Sequence, residues 1–268
     1  MRFTKMEGLG NDYVYLDCTR EAPGDLPELA RRMSDRHFGV GSDGLICIFP
    51  SQTADFKMVM FNADGSQAEM CGNGIRCVGK FVFDKGLTHK TELAIETLAG
   101  VKHLALSILG GQVDAVTVDM GAPRLEEARR VTTHGKEYQG IPVSVGNPHF
   151  VIPTSGVKDF DLQVHAPLSV PNHTFPEGVN VEIVEVVDRS HVKMRVWERG
   201  SGETLACGTG ACATVAAFVS EGLTDREVTV SLLGGELHVR WDETNDHIYM
   251  TGPARTVFEG EWPEVMLL

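Results

Sequence analysis

The chain has 268 residues, 42% of them hydrophobic and 23% charged, an ordinary balance for a soluble globular protein and enough length for about two domains. Lys plus Arg number 24 against 37 Asp plus Glu, a formal net charge of −13, so nucleic acid or an anionic membrane meets net repulsion, and no Lys/Arg cluster overrides it. The N-terminus MRFTKMEGLGNDY has no apolar core of a secretory signal, and no run of about 18 apolar residues suggests a membrane helix. Cys18, Cys47, Cys71, Cys77, Cys207 and Cys212 therefore read as reduced thiols rather than a disulfide framework.

In chain order, TKMEG, DYVYLD, LICIF, FKMVMF, ELAIET, HLALSI and DAVTVDM read as strands by alternation or β-branched content. DLPELARRMSDR between the second and third reads as a helix, with Asp25 as N-cap and Pro27 in its first turn. GIRCVGKFVFDKG reads as a second helix stopped by Gly86. IPVSV, HFVI, VNVEIVEVV, HVKMRVWE, EVTVSLL, ELHVRW and HIYMT then repeat the strand pattern. The Ala-rich GACATVAAFVSEG among them is a helix stopped by Gly222. Whether each helix lies inside a curled sheet or on a flat one stays open at this level.

The chain reads as an internal duplication. Cys71-Gly-Asn-Gly and Cys207-Gly-Thr-Gly lie 136 positions apart (207 − 71), about half the length. At the same offset Gly10-Asn11 meets Gly146-Asn147, Tyr13 meets His149, and Phe61-Asn62 meets Trp197-Glu198. LAGVKH and LGGELH follow one residue out of step. The boundary falls near 113–125, dividing the chain into 1–115, joined by a returning segment at about 254–268, and 116–253.

Each C-G-x-G opens a helix, and a helix N-terminus carries unpaired N–H groups and partial positive charge. Glycines let a carboxylate approach those groups closely. The same end lowers the pKa of a cysteine placed on it and favours thiolate. Two such ends facing one ligand would hold a carboxylate and set one thiol on each side of its α-carbon. That suits a racemase or epimerase: one thiolate removes the α-proton, the opposite thiol delivers another, and backbone N–H groups stabilise the carbanion. No cofactor and no metal is required. Glu198 and His149 are candidates for tuning the thiols, and Arg199 for pairing with a second carboxylate. Cys18, Cys47, Cys77 and Cys212 read as buried small hydrophobes. GIRCVGKF misses the P-loop Ser/Thr at Phe81, GTGACA lacks the strand and acidic partner of a dinucleotide fingerprint, and no C-x-x-C or H-E-x-x-H occurs.

GLGNDYVYLD, FNADGSQAEMCGNGIRC, GNPHFVI, GVNVEIVEV and WERGSGETLACGTGACA together resemble the diaminopimelate epimerase family from residue 8 to TGPARTVFEG, nearly the whole chain. The resemblance implies an α/β (α+β) fold of two similar domains related by a pseudo-two-fold. Each domain is a barrel-like, mainly antiparallel sheet around a central helix, with the active site between them. It implies cofactor-free conversion of LL-2,6-diaminopimelate to the meso form, for lysine and peptidoglycan precursors, in the cytoplasm. Cys71 would donate and Cys207 accept the proton in that direction, modulated by His149 and Glu198. Gly72, Asn73, Gly208 and Thr209 would bind the reacting carboxylate. Asn11, Asn62, Asn147, Asn180, Glu198 and Arg199 would hold the rest. A homodimer is implied, with Phe258 where the family often has a dimer-contact Tyr. Many members carry D-Q-L where this chain has Asp43-Gly44-Leu45, so the Gln contact has no counterpart at Gly44.

Proline and hydroxyproline racemases share the two-cysteine design but typically carry His at the position of Asn73. A non-enzymatic carboxylate-binding module would need the glycine turns and neither thiol. A redox protein would need activity with Cys71 and Cys207 oxidised. A Cys71–Cys207 disulfide in the epimerase would only inactivate it.

Overall fold

Both C-G-x-G segments begin helices, and in each the cysteine itself is the cap. The computed structural model describes residues 1–263. Cys71 and Cys207 adopt extended backbone, and Gly72–Asp84 and Gly208–Ser220 follow as helices of 13 residues each. Gly86 and Gly222 end them with φ of +69° and +68°, the left-handed backbone that glycine enters without a Cβ penalty.

The chain divides into two compact units, one of residues 1–118 plus the return from 253, the other of residues 119–252. In the first unit β1 (Arg2–Gly8) pairs antiparallel with β2 (Asn11–Asp17), and β2 lies parallel to β3 (Gly44–Phe49). β3 is antiparallel to β4 (Phe56–Asn62), which also carries the short β5 (Gln67–Ala68). β4 runs parallel to β6 (Glu92–Thr97), and β6, β7 (Gly100–Leu109) and β8 (Gln112–Gly121) form an antiparallel meander. α1 (Leu26–Ser34) crosses between β2 and β3, its N-cap Asp25 accepting from the Glu28 N–H at 3.0 Å. The return strand Arg255–Glu261 pairs antiparallel with β1.

The second unit repeats the plan. After two short strands, β9 (Arg124–Leu125) and β10 (Arg129–Thr133), β11 (Lys136–Ser144) is antiparallel to β12 (Pro148–Pro153), and β12 parallel to β13 (Asn180–Asp188). β13 is antiparallel to β14 (His191–Glu198), β14 carries the short β15 (Gly202–Thr204) and runs parallel to β16 (Glu227–Leu232). β17 (Gly235–Trp241) and β18 (Ile248–Pro253) complete an antiparallel meander. The order of parallel and antiparallel pairings is the same in both units. This is a mixed α+β fold, mostly antiparallel, with few helices.

Each cysteine-capped helix is wrapped rather than laid on a flat face. Call these helices α2 (Gly72–Asp84) and, past the single turn α3 (Ala166–Ser169), α4 (Gly208–Ser220). Gly72 through Val82 are buried without a break, so α2 shows no solvent face along most of its length. Strands from both ends of the first unit's order, β1, β2 and β7, touch it. α4 is likewise buried from Gly210 to Phe218 and meets β11, β12, β13 and β17. The choice left open by the sequence is thereby settled in favour of the curled sheet. Ile75, Val78, Phe81 and Val82 each contribute about 1.5–3 kcal/mol by burial, which is why the sheet closes on this helix.

Candidate active site

In the first unit the register places Asn11, Gly44 and Asn62 at one end of three neighbouring strands. Tyr13 pairs with Gly44, and Gly44 with Asn62. α2 starts at that end. Its cap, half-buried Cys71, donates from Sγ to Asn11 Oδ1 at 3.2 Å and accepts from the Gly74 N–H at 3.4 Å. Asn11 turns its Nδ2 toward Asp43 Oδ2 at 2.7 Å. Asp43 and Asp12 both receive Arg36, at 2.9 and 2.8 Å, and Asp12 meets the buried Lys5 at 2.5 Å. A charge-assisted chain thus runs from Lys5 to the Cys71 thiol. Asn62 Nδ2 is spent on Ser66 at 3.0 Å, and Asn73 Oδ1 accepts from Arg76 at 3.0 Å. Gly44 leaves no room for a side chain: a Cβ there would lie 2.1 Å from the Phe61 carbonyl oxygen.

In the second unit the register places Asn147, Asn180 and Glu198 at the matching end. His149 pairs with Asn180, and Val181 with Trp197. His149 is buried, its Nδ1 2.6 Å from Glu182 Oε1 and its Nε2 3.0 Å from Asn147 Oδ1. Asn147 Nδ2 reaches Thr209 Oγ1 at 3.3 Å, and that hydroxyl lies 3.5 Å from Cys207 Sγ. Glu198 accepts from the Thr204 hydroxyl, and its charge acts on Cys207. Asn180 Oδ1 accepts the Arg199 N–H at 2.8 Å, while the exposed Arg199 guanidinium donates to the Glu177 carbonyl at 2.8 Å. Each unit therefore gathers its own share of the sequence-predicted residues.

The helix end does not set the Cys207 thiol as expected. Burial first, then the charges of Glu198 and Glu182, push it well above its ordinary value, and the Thr209 hydroxyl and Gly210 N–H pull the other way and lose. The helix dipole alone predicts a lowered thiol; burial and the Glu182 carboxylate, added to the Glu198 that the sequence names, reverse it. Burial likewise raises the Glu198 carboxyl, opposed by its hydrogen bonds to Thr204 and Cys207.

The sequence assigns no role to Asp43, Arg36 or Glu182 of this constellation, though Glu182 carries a signal. It stands two residues after Asn180 in a strand, hence on the same face, toward α4. A Cβ on Gly210 would lie 2.7 Å from Glu182 Oε1, and one on Gly74 would lie 2.8 Å from Ile46 Cδ1. Ile46 and Glu182 are the same position of the repeat, 136 apart (182 − 46), each forming the floor under the first helical turn. Among the described residues no group of His, Cys, Asp and Glu could hold a metal ion, and no helix is long and apolar enough to cross a membrane.

Comparison with known proteins now bears on these residues. A family model described as diaminopimelate epimerase matches residues 3–126 and 141–257. The chain belongs to the diaminopimelate epimerase family. It is accordingly an enzyme, an isomerase of the epimerase kind. A diaminopimelate epimerase of Acetivibrio thermocellus is 53% identical over 97% of this chain and 98% of that protein. One of Methanococcus maripaludis is also 53% identical, over 97% and 99%. Among solved structures, a phenazine biosynthesis protein of the PhzF family from Bacillus anthracis superposes with a TM-score of 0.76 at 18% identity, covering 98% and 99% of the two chains. A hydroxyproline epimerase from Agrobacterium vitis does so with 0.71 at 15%, covering 97% and 90%. At those identities the structures share the fold alone. Sequence thus separates this epimerase from the proline-racemase alternative, and membership of an enzyme family sets aside the binding module.

Proposed function

We propose that the protein interconverts LL- and meso-2,6-diaminopimelate by two-base proton transfer between Cys71 and Cys207, without a cofactor. In the LL-to-meso direction Cys207 takes the α-proton and Cys71 delivers one to the opposite face. The N–H groups of Gly72, Asn73, Gly208 and Thr209 bind the reacting carboxylate and stabilise the carbanion. Asn11, Asn62, Asn147, Asn180, Glu198 and Arg199 hold the remainder of the substrate.

One observation carries the assignment of acid and base. Cys71 donates to an amide oxygen, which cannot take its proton, whereas Cys207 faces the Glu198 carboxylate, which can. A thiol on an amide keeps its proton and serves as acid. A thiol on a carboxylate can be relieved of its proton and serve as base. The reaction places the enzyme in lysine and peptidoglycan precursor synthesis, in the cytoplasm, as a homodimer that includes Phe258 in its contact. We take the halves 1–115 with 254–268, and 116–253, as its two domains.

The test is exchange in D2O. Reduced protein, without added cofactor, is incubated with LL-diaminopimelate, and α-deuteration and meso formation are followed together. Both are expected, and both should vanish in Cys71→Ala and in Cys207→Ala. Epimerisation that survives either substitution refutes the two-base reading.

A further inference from the structure

Glu182 is buried in the strand beneath α4, and its second carboxylate oxygen, Oε2, is buried with no hydrogen-bond partner among the described residues. Burying a carboxylate in an apolar strand costs several kcal/mol unless a partner compensates. Its partner is His149, and what His149 does next is fixed by chemistry. Asn147 Oδ1 can only accept, so His149 Nε2 must donate to it across 3.0 Å. The single proton shared across the 2.6 Å Nδ1–Oε1 contact keeps Nε2 protonated whichever side holds it. With Oδ1 committed to the ring, Asn147 presents Nδ2 to Thr209 Oγ1. A hydroxyl that accepts from Nδ2 has its own hydrogen left for Cys207 Sγ.

We propose that Glu182 is a positioning residue: by fixing the His149 tautomer it sets the orientation of the Asn147 amide, and thereby makes the Thr209 hydroxyl a donor to Cys207. Without Glu182 nothing holds the ring in its Nε2–H form: once Nε2 can accept, Asn147 can turn over and Thr209 can donate to Asn147 Oδ1 in place of the sulfur. The thiolate of Cys207 then loses one hydrogen bond. This deepens the two-base reading and rests on it for its catalytic meaning, but not for its geometry. The titratable groups that face Cys207 are Glu198 and Glu182, and His149 faces both of those carboxylates. Removing Glu182 also takes away a charge that raises the Cys207 thiol, so the hydrogen bond is read from Thr209 within each background, where that charge is constant.

The repeat supplies the variant. Glu182→Ile installs the residue that forms the equivalent floor, Ile46, in the first unit. Alkylation of each cysteine by iodoacetamide at pH 8 is read by peptide mass on the full chain without substrate. Thr209→Val should slow Cys207 about tenfold in the otherwise unaltered protein, the effect of one hydrogen bond to an ionised sulfur, and leave Cys71 at its original rate. In the Glu182→Ile background Thr209→Val should slow Cys207 no further, because both residues act through one chain. An equal slowing by Thr209→Val in both backgrounds, or an equal change at Cys71, overturns the proposal. Should Glu182→Ile fail to fold, nitrogen-15 spectra of His149 in the unaltered protein decide it. Nε2 should be the protonated nitrogen that faces Asn147, and an unprotonated Nε2 overturns the assignment. Neither readout uses turnover, so failure here is distinguishable from failure of the epimerase reading, which the cysteine-to-alanine exchange experiment reports.

Discussion

The two cysteine-capped helices stand on one scaffold and have opposite surroundings. Around Cys71 the repeat supplies Tyr13, Ile46, Asn62 and Asn73; at the same positions around Cys207 it supplies His149, Glu182, Glu198 and Thr209. The first set has no ionisable carboxyl or imidazole, and the second has three. Asn11 and Asn147 are the shared elements, and they face opposite ways. Asn11 gives its oxygen to the thiol and its nitrogen to a carboxylate, while Asn147 gives its oxygen to a histidine and its nitrogen to a hydroxyl. On the proposed assignment a duplicated unit yields a proton donor and a proton acceptor without changing the order of strand pairings. The side chains two or three layers back are enough.

The comparison breaks most severely at Glu198. Glu198→Gln makes the second unit resemble the first at Asn62, and should lower kcat/KM by about 10²–10³-fold, the contribution of a positioned proton acceptor. Sign follows from the raised carboxyl. Glu198 is protonated at low pH and ionised only above a pKa higher than the ordinary carboxylate range, so kcat/KM should rise with pH through that value. In Glu198→Gln that acidic limb should be missing from the pH–rate profile.

A second contrast lies away from the cysteines. His165 occupies the repeat position of Leu29, which is packed in the first unit's core. It is buried against Tyr138 and Phe160, with both ring nitrogens unpartnered among the described residues, and burial lowers it to about 4. The nearby charge of Asp161 opposes that shift and His134 adds to it. A folded value below the unfolded one of about 6.5 means stability that is intact above pH 6.5 and is lost as pH falls toward 4, up to about 3 kcal/mol. His165→Leu should abolish this loss, which urea unfolding at pH 7 and pH 5 will measure. An undiminished difference between the two pH values in the variant would remove His165 from the account.

Gly44→Ala should cost about 1–3 kcal/mol, because the new Cβ must displace the Phe61 carbonyl. Its counterpart Asn180 already carries a side chain, so the loss should appear as a lower Tm for the glycine position only. The smallest effect is expected at Asp43→Ala, which frees Asn11 to turn. Alkylation of Cys71 should change by about threefold to tenfold while Cys207 keeps its rate, the mirror of the Glu182 experiment.

Much of this was legible in the linear sequence, and the reasons are local. Glycine after cysteine announces a helix start, glycine at the far end announces its stop, and β-branched runs between turns announce the long strands. The short strands β5, β9, β10 and β15 went unseen because two to five residues carry too little periodicity. The segment Leu162–Ser169, the repeat equivalent of α1, went unseen because Pro167 and the following Val170-Pro171 break any helical pattern. The glycine turns, both cysteines, His149 and Glu198 were found because they are tied to motifs. Asp43 and Glu182 matter through partners 32 and 33 residues distant, Asn11 and His149, and such contacts exist only after folding. The raised Cys207 thiol was misjudged for the same reason.

Gly44 also bears on which relatives this sequence can turn into. The resemblance implies glutamine at this place in many members, yet here β3 and β4 have closed to where a Cβ meets a carbonyl oxygen at 2.1 Å. A single replacement therefore lands on a less stable protein before any new contact can reward it. The strands at Phe61 must first move apart, through substitutions that bring no benefit by themselves. In this chain the glycine at position 44 is therefore held in place by the backbone of the neighbouring strand rather than by anything it contacts itself.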